Sequence, residues 1–228
     1  MSFLSGLKKR YNRVANGVDW TNLRSVKPVS EVFGLDRGTP VDRYYIEKFL
    51  HANAHHIKGS VLEIAENTYS KKYGRDITAF EILHYNHDNP RATIVGDLTD
   101  VNTLPHEKVD CFICTQTFQF IYNFKDAIRG AHYLLKKNGI LLATFAGISQ
   151  ISRYDMDRWG EYWRFTTLSA AKAFQEVFGP NNVVVEAYGN VLSAVAFLEG
   201  ISVEELTPEE LDYKDKNYEV LITLVARK

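Results

Sequence analysis

The sequence predicts an α/β fold: a doubly wound, mostly parallel sheet of seven strands with an antiparallel edge hairpin. Three observations predict it. Apolar runs at 60–64, 77–83, 92–96, 109–115 and 139–146 alternate with segments long enough for crossovers, the pattern of parallel strands joined by right-handed connections. Two further runs, 183–188 and 218–226, are separated by insertions, as suits an antiparallel pair at a sheet edge. The composition, 45% hydrophobic and 24% charged over 228 residues, supports one large core and therefore one domain over 1–228. Within it, 1–58 forms an N-terminal cap segment and helix, and 59–228 the core with insertions.

Phe3, Leu4, Leu7, Tyr11 and Val14 recur at helical spacing with Lys8, Lys9, Arg10 and Arg13 between them. Such a segment either packs on its own domain or makes weak contact with an anionic membrane surface. Residues 15–34 show little periodicity and read as a connection. Thr39 as cap, Pro40 at the first helical position and Asp42 in the first turn then start a helix that runs to His56. Asn123, with Asp126 three residues on, opens a helix whose Ala127, Ile128, Ala131, Leu134 and Leu135 share one face. Lys136, Lys137, Asn138 and Gly139 close it. Leu168–Phe178 reads as a helix, Val191–Leu198 as an apolar segment, and Thr207-Pro208 as the start of a short helix.

Charge and cysteine content exclude several functions. With 27 basic against 28 acidic residues and a net charge of −1, no global field draws the chain to nucleic acid. Cys111 and Cys114 form a CxxC inside the apolar run VDCFIC with no second ligand pair, so they read as small core residues in a reducing, cytoplasmic compartment rather than as a metal site. No apolar run is long enough to span a bilayer, and the start does not read as a signal peptide. The scattered histidines read as solvated. Tyr133 and Lys137 make a YxxxK, but they lie on the helix before the fifth strand, with no GxGxxG in the chain.

The chemistry-bearing residues gather at predicted strand ends, where doubly wound sheets hold their ligands. The stretch SVLEIAENTYS, Ser60–Ser70, opens like the first strand and loop of a nucleotide-binding fold, with Glu63 at the strand end. Glu81 follows in the second strand, 18 residues beyond Glu63, about where an acid commonly takes ribose hydroxyls. Asp97 follows the third strand, and Thr115, Gln116 and Gln119 follow the fourth.

On these residues, together with LLKKNG before the fifth strand, the sequence from Ser60 onward resembles the class I S-adenosylmethionine-dependent methyltransferases, particularly bacterial glycan-pathway and small-molecule members. GLDRGTPVDRYYIEKFL, Gly34–Leu50, and EYWRFTTLSA, Glu161–Ala170, resemble the cap and the substrate-side loop of a subgroup. The resemblance implies a Rossmann-like fold and S-adenosylmethionine as cofactor. It implies that Glu63 organises the loop near the methionine ammonium, Glu81 takes the ribose, and Asp97 with Leu98 faces the adenine, with Ala65, Glu66, Asn67, Tyr69 and Thr115 completing the cofactor site. The departure is in the loop, where the family's three glycines are replaced by Ala65, Asn67 and Tyr69. Ala65 is small and Asn67 tolerates left-handed backbone, so two of the three positions keep part of what glycine provides.

On the acceptor side the same reading names Arg37, Tyr45, Gln116, Gln119, Trp163 and Arg164 as substrate-binding, and Asp155 or Tyr162 as the base, with Tyr154 and His84 as further candidates and no metal. The expected reaction is O-methylation of a sugar or glycan precursor by in-line displacement. The alternatives are a cofactor-free scaffold and a methyltransferase for a small phosphorylated amine or alcohol. A small-molecule or glycan substrate and a cytoplasmic location complete the expectation; the oligomeric state stays open.

Overall fold

The computed structural model describes residues 3–17 and 25–228. The side chains of Phe3 and Leu4, and 18–24 of the expected connection, lie outside the described residues. In chain order the elements are α1 (Phe3–Ala15), α2 (Val41–Ala52), β1 (Gly59–Ile64), α3 (Thr68–Tyr73), β2 (Ile77–His84), β3 (Ile94–Val95), β4 (Val109–Thr115), α4 (Phe124–Leu134), β5 (Leu135–Ala146), α5 (Arg153–Met156), α6 (Thr167–Phe178), β6 (Val183–Tyr188), α7 (Val191–Glu199), α8 (Pro208–Asp212) and β7 (Leu221–Arg227).

The seven strands form one sheet in the order β3-β2-β1-β4-β5-β7-β6. The pairs β1–β2, β1–β4, β2–β3 and β4–β5 are parallel. At the other edge, the Asn138 amide donates to Lys228 and the Lys228 amide to Gly139, while Ile148 donates to Glu219 and Val220 donates to Tyr188. Pairings that run in opposite sequence directions make β7 antiparallel to both β5 and β6. The strand order reverses between β1 and β4, which puts the ligand crevice of such a sheet at their carboxyl ends.

The described residues pack as two compact units. One comprises residues up to Glu47 with Ile148–Gln150 and Ala187–Leu221; the other comprises Lys48–Gly147, Ile151–Glu186 and Ile222–Lys228. In the first, α7 starts with a capping box between Asn190 and Ser193, and the Asn190 amide also donates to the carbonyls of Glu210 and Tyr213. Arg37 pairs with Glu205, and Glu204 accepts from the Thr39 amide and hydroxyl.

In the second unit, β1, β4 and β5 are almost wholly apolar and buried, as strands covered on both faces require. Helix α4 packs on α6 and β5. It buries Ala127, Ile128, Ala131 and Leu134, the face read from the sequence. Phe118, Phe145, Phe165 and Phe174 interlock in tilted and edge-on contacts.

Several local expectations are corrected. Helix α2 starts one residue later than expected: the Pro40 carbonyl accepts from the Arg43 and Tyr44 amides, so Pro40 rather than Thr39 stands at the cap position, and the Thr39 hydroxyl donates to Glu204. That helix ends at Ala52, with a separate 3-10 turn at Ala54–His56. Strand β5 begins at Leu135 rather than at residue 139: Val109 pairs with Leu135 and Cys111 with Ile140, so Lys136–Gly139 bulge out of the ladder. The apolar segment Val191–Leu198 is helix α7.

Candidate functional site

Register across the parallel strands defines the site. Ile64 pairs with Leu83, Glu63 with Ile113, His84 with Val95 and Thr115 with Thr144. Followed along these ladders, Ala65, His84, Val95 and Thr115 stand level at the carboxyl edge of the sheet, with Gly96 and Gln116 one residue further out. Two of them are non-glycine residues with left-handed backbone, Ala65 at φ 63° and Gln116 at φ 48°. They follow β1 and β4, the two strands between which the order reverses. Strain of this kind persists where the surrounding structure enforces it.

At Ala65 the enforcement is visible. The Glu66 amide donates back to the Ile64 carbonyl at 2.7 Å, closing a positive-φ γ-turn, an uncommon and strained turn. The Ala65 amide donates to Leu83, and its carbonyl accepts from the Asn89 side chain at 2.7 Å. The chain thus keeps a glycine-like path at the first replaced glycine. Asn67 does not share this task, since its φ is −129°.

Glu63 is buried and accepts from the Tyr69 amide at 3.1 Å, the Ser70 amide at 2.7 Å and the Ser70 hydroxyl at 2.5 Å. Its carboxylate therefore holds the first turn of α3, where amides lack helical partners. Burial raises its carboxyl above the ordinary range, opposed by these same bonds. Tyr69, at the third glycine position, is buried with its ring stacked on Tyr73, which meets His51 of α2 edge-on. Residues 65 and 66 remain exposed at the mouth of the turn.

The second strand corrects the sequence reading. Glu81 pairs with Leu62, three residues short of the edge, a drop of about 10 Å at the rise of a β-strand. Its carboxylate accepts from the Thr93 hydroxyl and pairs with Lys108. Glu81 is thus engaged by Thr93 and Lys108 below the edge, and His84 occupies the edge position. The His84 Nδ1 lies 3.0 Å from the Asn86 carbonyl and 3.5 Å from the Asn86 amide, so the ring is held by the turn that follows β2. Asp97 is exposed, and one carboxylate oxygen accepts from the Thr99 amide and hydroxyl. Leu98 is buried, and a Cβ on Gly130 of α4 would stand 2.0 Å from its carbonyl oxygen.

At the end of β4, the Gln116 amide donates to the Thr144 carbonyl at 3.0 Å, and the Thr115 carbonyl accepts from the Thr117 hydroxyl. Gln119 is buried; its amide donates to Gln116 Oε1 at 2.6 Å, and its own Oε1 has no partner among the described residues. A buried unpaired acceptor of this kind calls for a donor from elsewhere. The Gln119 backbone carbonyl receives the amides of Tyr162 and Trp163, which brings the 151–165 loop to the same strand end. Trp163 donates its indole N–H to the carbonyls of Ile121 and Tyr122 and packs on Tyr122 and Phe124. Tyr122, Tyr162, Tyr154, Trp159 and Tyr85 are exposed rings in this neighbourhood, linked by edge contacts into two groups.

Other candidates are committed elsewhere. Both Asp155 oxygens accept bonds, one from the Ser152 hydroxyl and one from the Trp159 indole, so Asp155 ties together the α5 turn. Arg164 pairs with the buried Glu161, whose other oxygen accepts from the Ser152 amide. In the other unit, Arg37 is buried against Glu205, and Tyr45 is fully buried with its hydroxyl donating to Leu211; neither is offered to a substrate there. Tyr162 donates to the Trp159 carbonyl and stays half exposed. The cysteines are free and buried, and burial pushes the Cys114 thiol up to about 12 and that of Cys111 further. Among the described residues, no group of three His, Cys, Asp or Glu side chains is placed to hold a metal, and no helix is long and apolar enough to cross a membrane.

The edge position of His84 and the Ala65 turn were the features the sequence concealed. A strand-register argument, with the ladder ends matched rather than the acids counted, is the signal that finds His84.

Residues 57–143 match the family described as "Methyltransferase domain". No curated protein matches the chain. Among solved structures, a SAM-dependent methyltransferase from Archaeoglobus fulgidus is similar at 11% identity and TM-score 0.51, covering 82% of this chain and 94% of its own. A second, from Mesorhizobium loti, is similar at 13% identity and TM-score 0.51, covering 82% and 98%. The [4+2]-cyclase SpnF is similar at 14% identity and TM-score 0.51, covering 99% and 94%. These likenesses establish the methyltransferase-type α/β fold, and the cyclase among them shows that the fold hosts other chemistry.

Proposed function

We propose that this chain is an S-adenosylmethionine-dependent methyltransferase whose acceptor is an uncharged, hydroxyl-bearing small molecule such as a sugar or glycan precursor. The match of residues 57–143 to a methyltransferase domain supports the enzyme class. The observation that carries the reading is the γ-turn at Ala65: the chain has lost the glycine and kept the left-handed path that lets backbone approach a cofactor. Tyr69, stacked on Tyr73, gives no support to a scaffold that has filled its own cofactor site.

When bound, S-adenosylmethionine supplies a methyl group on a sulfonium, already activated for in-line displacement. The residues of the chain then have to bind, align and exclude water. Glu63 fixes the start of α3 and so the loop at residues 65–67 beside the methionine end. His84, with Asn86, takes the ribose hydroxyls in place of Glu81. The Asp97 oxygen not engaged by Thr99 takes the adenine amino group. Gln119 Oε1 accepts from an acceptor hydroxyl, with Gln116 holding the amide in place and Tyr162 and Trp163 bounding the space.

The acceptor class follows from what the arginines do. Arg37, Arg153 and Arg164 are paired with Glu205, Asp157 and Glu161, and Arg158 lies over the Tyr154 ring and donates to the Tyr154 carbonyl. These four arginines are thus engaged by groups of the protein itself, which favours the uncharged acceptor over the phosphorylated amine or alcohol. Exposed aromatic rings suit the apolar face of a sugar. Incubating the protein with methyl-labelled donor and a panel of sugars, nucleotide sugars and phosphorylated amines tests this. Label in the hydroxyl acceptors is the expected result, and label confined to phosphorylated amines contradicts it.

A further inference from the structure

We infer that α1 is a membrane-surface anchor that docks the protein onto anionic lipid. The orientation of the helix carries the inference. At 100° per residue, Lys9, Asn12 and Arg13 share one face of α1. That face is fastened to the protein: Lys9 donates to the Gly38 carbonyl at 3.2 Å, Asn12 to the Asp36 carbonyl at 3.1 Å, and Arg13 to the Arg37 carbonyl. The opposite face carries Leu7, Tyr11 and Val14, and these stand in solvent at 49%, 70% and 78% exposure. A surface helix ordinarily turns its apolar stripe inward and its basic residues outward. Here the assignment is reversed.

What covers an apolar stripe in this setting is indicated by its borders. Lys8 lies on one side of the stripe and Arg10 on the other, and both are exposed. Helix α1 holds four basic residues and no acidic one. An apolar stripe flanked by cations suits the boundary between acyl chains and anionic headgroups, where long basic side chains reach up to phosphate. A protein partner with an apolar groove has no need of the flanking charges, and a second copy of the same helix would set like charges against each other. The helix has 13 residues, about 20 Å, and lies along the surface rather than across it.

The test is co-sedimentation of the full chain with vesicles of pure phosphatidylcholine and with vesicles containing 30% phosphatidylserine. Binding to the anionic vesicles only, weakened by raising salt, is the expected result. K8E/R10E lowers the partition coefficient by at least about 25-fold, taking roughly fivefold per lost basic charge near the surface. L7E/Y11E abolishes binding, while the thermal transition of both variants stays within a degree or two because the changed side chains are exposed. Binding that L7E/Y11E leaves intact, or none to anionic vesicles, overturns the inference. So does a dimer, seen by light scattering, that the same pair dissolves while no vesicle binding occurs. The outcome is independent of the methyltransferase reading, which no residue of α1 serves.

Discussion

Ala65 shows how a residue that lacks the favoured chemistry keeps the favoured shape. An L-residue in the left-handed region carries a penalty of roughly 1–2 kcal/mol, partly offset because alanine loses less chain entropy on folding than glycine. Ala65→Gly should therefore stabilise the protein by roughly 0.5–1 kcal/mol, read from urea unfolding at equilibrium. A loss of similar size would mean that the turn is not strained. Smallness at position 65 was visible in the sequence, but the γ-turn was not, because it depends on Leu83 and Asn89 from another strand and loop. Asn67 was the natural candidate for left-handed backbone and does not adopt it, since the single γ-turn at Ala65 already reverses the chain.

Glu63 gives a pH prediction at the same scale. Its folded carboxyl titrates above its unfolded value, so the folded state holds the proton more readily. The associated stability is complete below the ordinary carboxylate range and is lost as pH rises through the raised folded value. Glu63→Gln removes that dependence. The variant should gain stability relative to the parent protein as pH is raised from about 4 to 7, as measured by urea midpoints. A difference that does not change with pH would contradict the burial argument.

At the scale of elements, the fit of α4 against the turn after β3 positions the side proposed for adenine. Gly130 lets the helix approach until a Cβ would touch the Leu98 carbonyl. Gly130→Ala has to push the Asp97–Leu98 turn away, which costs about 1–3 kcal/mol as overpacking. It should also weaken cofactor affinity, because Asp97 moves with Leu98. Unchanged stability and affinity would show that the turn is not held by α4. The strands were legible from their apolar runs, and the α4 face from its 3.6-residue spacing. Strand ends were not. Glu81 looked like a strand-end acid because it interrupts an apolar run, yet β2 continues three residues beyond it. Only the pairing of Ile64 with Leu83 reveals this, and pairing is long-range information. The arginines and Asp155 of the 153–164 loop were legible as chemistry but not as partners, since each bonds within its own loop.

For the molecule as a whole, the doubly wound, mostly parallel class of the sheet was readable from the alternation of elements, whereas the strand order was not, because it is set by long-range pairing. The central claim is that this sheet still binds S-adenosylmethionine through a glycine-poor turn, with His84 and not Glu81 at the ribose. Isothermal titration of S-adenosylhomocysteine into the folded protein tests it most directly. The account predicts saturable one-to-one binding, weakened about tenfold or more by His84→Ala, as loss of a hydrogen bond of roughly 1.5 kcal/mol implies, and unchanged by Glu81→Gln. Absence of binding to well-folded protein would contradict the claim, and weakening by Glu81→Gln with none by His84→Ala would contradict the site.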